Sequence, residues 1–200
     1  SIDRNSTLAV VNQINLYKLQ SQDAKDVETT YDRYIDQFKN AAMVDPQSPI
    51  VHFAHAYACQ VFPSKMPEKQ EERLEQSLNG YQLAINLDPN FKWAYWGLKD
   101  AYLTPISGGS PLYEEAVEAC RQVVTMDPED PRGYYELGTV YRRMGQIEPA
   151  QVNFNLAIQH VMMYIPAYFS MAEIRRGAGT FDEAIKLYQR VIRINPNFAR

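Results

Sequence analysis

Cysteine is scarce: two in 200 residues, Cys59 and Cys120, with no CxxC pair. That number cannot build the disulfide framework of a small secreted domain, and the reading is two buried apolar thiols. No apolar run approaches the roughly 18–20 residues of a helical membrane span. Positive charge is not in excess either. Twenty Lys and Arg stand against 24 Asp and Glu, a formal net charge of −4, and both halves of the chain share that balance. A nucleic-acid binder usually shows a basic surplus, so none is expected as partner. Catalytic signatures are missing too: there is no G-x-S-x-G, phosphate loop, G-x-G-x-x-G or H-E-x-x-H. Gly108-Gly109 stands in a loop with no strand before it. The acidic pairs Glu71-Glu72, Glu114-Glu115 and Asp182-Glu183 fall at helix starts, where they complement the dipole. The expectation is a chain with no catalytic residues, no cofactor and no metal.

What the sequence does have is helical punctuation. Four similar phrases recur: Asp45-Pro46-Gln47, Asp88-Pro89-Asn90-Phe91, Asp127-Pro128-Glu129 and Asn195-Pro196-Asn197-Phe198. An amphipathic run precedes each, such as residues 78–87 and 184–192, with apolar side chains at i, i+3, i+4 and i+7. The proline ends one helix and the Asp or Asn favours the turn. Period-2 alternation is absent, so no sheet is expected. The spacing predicts ten helices, at 4–20, 26–44, 48–62, 68–87, 91–103, 112–126, 131–144, 147–161, 164–177 and 181–194. Two Pro-rich insertions, at 62–69 and 104–111, each fall inside a helical pair and form a second candidate surface. The chain begins at Ser1 and closes on a phrase that elsewhere opens a new unit. It therefore reads as an excised segment or a processed product.

Residue positions within these units resemble the tetratricopeptide repeat (TPR) family, whose 34-residue pattern has characteristic aromatic, small and proline positions. The unit starting at Pro131 has Tyr134, Leu137, Gly138, Tyr141, Ala150, Phe154 and Ala157, with Met162 in place of the proline. The unit starting at Ile165 has Tyr168, Met171, Ala172, Ala184, Tyr188, Val191 and Pro196, with Arg175 in place of a Tyr. The unit starting at Lys92 has Tyr95, Leu98, Tyr102, Ala116, Cys120, Val123 and Pro128. Weaker matches start at Pro49 (His52, His55, Ala56, Cys59, Ser77, Tyr81, Ala84, Pro89) and upstream (Tyr34, Phe38, Ala41, Pro46). The resemblance implies an all-α, right-handed superhelical solenoid of about five helix-turn-helix hairpins. Residues 1–200 form a single repeat domain, with a degenerate leading unit at 1–48 and repeats at about 49–91, 92–130, 131–164 and 165–200. His52, His55 and Cys59 share one helix face and are zinc-ligand types. They occupy core positions of the pattern, which assigns them to packing. His160 stands at a helix end, where a cation caps favourably.

The resemblance also implies a non-enzymatic protein-interaction scaffold that binds a partner segment in its concave groove. Carried over by position, the groove-lining candidates are Trp93, Trp96, Tyr135 and Phe169, which anchor by burial. Arg132, Arg142, Arg143 and Arg176 anchor by charge. The expected partner is another protein or peptide with apolar and acidic groups. The residues of the chaperone-tail clamp known in one TPR subclass are missing: Phe53, Tyr57, Gly97 and Glu136 stand where it needs other types. Two alternatives remain: a recruiting or regulatory region cut from a larger enzyme or membrane-associated assembly, and a homo-oligomer joined through its terminal repeats. The compartment is left open, with a lean to the cytoplasm.

Overall fold

A computed structural model describes residues 4–22, 26–105 and 109–197, except the side chains of Arg4 and Asn5. Among the described residues there are ten α-helices and no strands. The helices are α1 (Arg4–Gln20), α2 (Val27–Val44), α3 (Pro49–Val61), α4 (Pro67–Leu87), α5 (Lys92–Tyr102), α6 (Tyr113–Met126), α7 (Pro131–Arg143), α8 (Ile147–His160), α9 (Ile165–Gly177) and α10 (Phe181–Ile194). Their ends lie within one residue of the sequence expectation. Among the described residues no helix is long and apolar enough to cross a membrane.

The chain divides into two compact units, Ser1–Ala119 and Cys120–Arg200, with the boundary inside α6. In the first unit α3 packs against α2 and α4, and α4 against α5. One core cluster holds Phe53, Leu74, Tyr81, Ile85, Phe91 and Leu98. A second joins Ile14 of α1, Tyr31 and Ile35 of α2, and Cys59 and Phe62. In the second unit α7 pairs with α8, α8 with α9, and α9 with α10. Its core contains Ala150, Phe154, Ala157, Ala167 and Ile174, with Tyr134, Tyr135, Tyr164 and Met171 packed against it.

The turns explain the helix ends. After α4, Asp88 Oδ1 accepts from the Asn90 N–H (3.0 Å) and its carbonyl from the Phe91 N–H (3.0 Å). Asn195 repeats the side-chain bond with the Asn197 N–H (3.1 Å). These Asx turns satisfy the backbone N–H groups of the turn and lead the chain out of the helix. Inside the hairpins of the second unit the punctuation differs. Gly145 and Gly179 both stand at φ +76°, a left-handed conformation that costs other residues on the order of 1–2 kcal/mol. There the Gln146 N–H reaches the Tyr141 carbonyl (2.9 Å) and the Thr180 N–H the Arg175 carbonyl (3.0 Å). The same cap thus recurs 34 positions later. The hairpin α3–α4 lacks it, because the Pro63–Pro67 insertion breaks the chain instead.

Candidate functional site

Unit by unit, the sequence-chosen residues meet different fates. In the first unit the aromatic candidates are drawn into packing. Trp96 is 6% exposed, and Trp93 is partly buried against the α4–α5 cluster. Phe53, on the same register in α3, is buried at 1% and lies 5.8 Å from the Tyr57 and Tyr81 rings and 5.2 Å from Phe91. Helical phase says which side of its own helix a residue takes, not what packs over it.

The second unit keeps its candidates at the surface. Arg142, Arg143 and Arg176 are exposed, and Phe169 retains 38% of its area. Arg132 is half-buried beside Glu136 (3.9 Å). Tyr135 packs edge-on to Tyr164 at 5.7 Å, which ties α7 to the start of α9. Burial first, then the charge of Glu136, pushes the Tyr164 phenol up to about 12, so it stays neutral.

Further along α9, Arg176 donates to both carboxylate oxygens of Glu173 (2.7 and 3.3 Å), and the Tyr188 hydroxyl of α10 donates to the same carboxylate. The Arg176 bond first, then the Tyr188 bond, hold Glu173 below the usual carboxylate range. Arg142 of α7 adds a smaller electrostatic pull in the same direction. The Phe169 ring meets Tyr188 edge-on at 5.8 Å. Within this face Glu173 is already taken up by Arg176 and Tyr188. Among the described residues, neither Arg142 nor Arg143 has a carboxylate within salt-bridge reach.

A second polar assembly, missed in the sequence, lies in the first unit. Arg73 of α4 is 3% exposed. It donates to the Phe62 carbonyl (2.8 Å), to Glu28 (2.9 Å) and to Asp32 (2.7 Å), and Lys69 pairs with the same two carboxylates. A signal was present: Glu28/Asp32 and Lys69/Arg73 are each one helical turn apart, so two acids on one helix meet two bases on another. Burial raises Asp32, but bonds from Lys69 and Arg73 outweigh it and hold the carboxyl below its ordinary value. The neighbouring cavity, about 120 Å³ and lined by Asp36, Lys39 and Gln76 among others, is too small and too internally paired to read as a ligand site.

The histidines fall into packing roles. His52 Nε2 lies 2.9 Å from the Pro46 carbonyl, and His55 Nε2 lies 3.5 Å from Cys59 Sγ. Burial first, then Lys39, lowers the His55 pKa. Burial pushes the Cys59 thiol up to about 12. Among the described residues no three metal-ligating side chains come together. His160 departs from its expected capping role. Its ring stacks on Tyr134 (4.9 Å, 10° between planes) and faces Glu129 at 3.4 Å, while the Val161 N–H bonds the Ala157 carbonyl in the last turn of α8. Of the two insertions, 62–69 is described and contributes to a 470 Å³ hollow with Asp26, Glu28 and Tyr31. In 104–111, positions 106–108 lie outside the described residues.

Comparison with known proteins agrees with this architecture. Residues 131–159 and 165–198 match the tetratricopeptide-repeat family model, and those segments are α7–α8 and α9–α10. Residues 131–198 thus carry two matches to the tetratricopeptide repeat. It is 29% identical over 83 residues to Protein bimA of Emericella nidulans, which is 42% of this chain and 10% of that protein. The chain thus spans about a tenth of that relative's length. Among solved structures it is similar to MamA (TM-score 0.62, 22% identity, 88% of this chain and 95% of that one). It is also similar to TTC0263, a thermophilic TPR protein of Thermus thermophilus (TM-score 0.65, 18% identity, 96% and 93%). YrrB, described as a TPR protein with an unusual peptide-binding site, matches with a TM-score of 0.56 and 22% identity over 81% of this chain and 76% of that one. At these identities the likeness is one of fold.

Proposed function

We propose that the chain is a non-enzymatic interaction scaffold, and that the α7–α9 face of its second unit binds an acidic segment of a partner protein. The observation that carries this reading is the charge arrangement on that face. Arg142 and Arg143 stand exposed in the last turn of α7 with no salt bridge to a described carboxylate, and on α9 Glu173 is already committed to Arg176 and Tyr188. A guanidinium presents a planar fork that suits a carboxylate bidentately. Phe169, exposed next to the Tyr188 ring, supplies an apolar seat beside it. The partner segment therefore carries Asp or Glu and one large apolar side chain. YrrB, a repeat protein of the same fold, is described as having a peptide-binding site, which supports the class of ligand. Trp93 and Trp96 join the anchors only if a partner reaches them where they already pack.

The test is a fluorescence-anisotropy titration with a labelled eight-residue peptide of Asp and Glu around one Phe. Binding should weaken as salt rises from 50 to 500 mM, because the exposed part of the attraction is screened. The same peptide with Lys for every acid should not bind. Equal binding of both peptides would defeat the charge-based reading.

A further inference from the structure

On α9 the chain fills one of its own surface cations with its own acid. Phe169, Glu173 and Arg176 recur at i, i+4 and i+7 and so share one side of that helix. Arg176 Nη2 and Nε donate to the two oxygens of Glu173 at 2.7 and 3.3 Å. The Tyr188 hydroxyl of α10 donates to Glu173 Oε1 as well, and the Tyr188 ring meets the Phe169 ring edge-on at 5.8 Å. A carboxylate held by a guanidinium fork beside an exposed phenylalanine is also how an acidic partner segment would sit here.

The Arg176 side chain is nonetheless 59% exposed and that of Glu173 29%. A ligand from solvent can therefore reach the fork once Glu173 is out of it. Glu173 is only one helical turn from Arg176, so its effective concentration there is high, and an external acid competes at a disadvantage. Its carboxyl is held below the usual range, so it stays ionised at neutral pH and mild acidification does not release Arg176.

We propose that Glu173 is a built-in competitor for the partner's carboxylate, which holds Arg176 back from the acid-binding face. The proposal rests on the acidic-segment reading of that face. Wild type then offers Arg142 and Arg143, while Arg176 is taken up internally and the Glu173 charge repels an incoming acid. Glu173 thereby sets how acidic a segment must be. Two arginines are open to any acidic segment, and a further carboxylate must displace Glu173 to use the third.

Anisotropy titrations with the labelled peptide of Asp, Glu and one Phe, at about 50 mM salt, test this on four proteins: wild type, Glu173→Gln, Glu173→Gln/Arg176→Ala and Glu183→Gln. Glutamine keeps the side-chain length and an amide oxygen for Tyr188, so circular dichroism should not change. Glu173→Gln should bind about three- to tenfold tighter than wild type, because an ion pair is gained and a like-charge repulsion lost, each modest at a surface. Removing Arg176 in that background should bring affinity back to within about twofold of wild type. Glu183→Gln removes the same charge and releases Arg175, which points about 100° around α9 from Arg176, so binding should move less than about twofold. Wild-type binding with no gain in Glu173→Gln overturns this proposal and leaves the acid-binding face standing. Equal gains in Glu173→Gln and Glu183→Gln overturn it too, since net charge alone would explain them, as does a gain that survives Arg176→Ala. Binding by neither wild type nor Glu173→Gln would sink both readings together.

Discussion

Gly97 in α5 is where the packing of the first unit is tested most sharply. A Cβ at this position would lie 2.2 Å from Tyr81 Cζ, 2.4 Å from Cε1 and 2.7 Å from the hydroxyl oxygen. The Tyr81 ring is fully buried and its hydroxyl donates to Gln60 Oε1 at 2.6 Å. Gln60 in turn donates to the Gly97 carbonyl at 3.3 Å. The ring cannot retreat without breaking this chain of bonds. Forcing extra volume into such a core costs about 1–3 kcal/mol, and a stranded buried hydroxyl about 1–3 kcal/mol more. The better helix propensity of Ala returns about 1 kcal/mol. Gly97→Ala should therefore destabilise the first unit by about 1–5 kcal/mol. Both tryptophans lie in α5, so urea unfolding followed by tryptophan fluorescence reads this unit. Gly177→Ala is the control: nothing lies within 4 Å of its Cβ, and stability should stay level or rise by up to about 1 kcal/mol. A Gly97→Ala protein within about 0.5 kcal/mol of wild type would refute the packing argument.

Other expectations follow from the polar groups. Asp32 is held below its ordinary value, so its contribution is complete above the unfolded carboxyl pKa of about 3.9 and is lost as pH falls through the folded value. The urea midpoint of wild type should drop between pH 5 and pH 3 more steeply than that of Asp32→Asn; parallel curves would contradict the network around Arg73. Cys59 and Cys120 are both buried, and the Cys59 thiol is pushed up to about 12. Ellman's reagent should label neither thiol on mixing with native protein and both in 8 M urea, and rapid native labelling would contradict the burial.

Much of the fold was legible because its signals are local. Asx-Pro phrases follow α2, α4, α6 and α10, and Gly145 and Gly179 end first helices at positive φ, so helix ends fell within a residue of expectation. The groove candidates were legible only as a register. Arg142, Arg143, Arg176 and Phe169 kept surface area, whereas Trp96 sank to 6% exposure. Burial depends on neighbours that are distant in sequence, and periodicity along one helix does not supply them. The Arg73 network failed to register for the same reason: Glu28 and Arg73 are 45 positions apart. His160 looked like a cap because it ends a helix, but Tyr134 offered its ring a flat partner across the hairpin.

The central claim is that the α7–α9 face recognises an acidic segment through Arg142 and Arg143. Both side chains are exposed, so Arg142→Glu/Arg143→Glu should leave the fold intact. The decisive measurement is the anisotropy titration of the Phe-containing acidic peptide against this double variant, beside wild type at the same salt. The account predicts a dissociation constant at least tenfold weaker, about 1.4 kcal/mol, with an unchanged circular dichroism spectrum. An unchanged dissociation constant in the folded variant would contradict it.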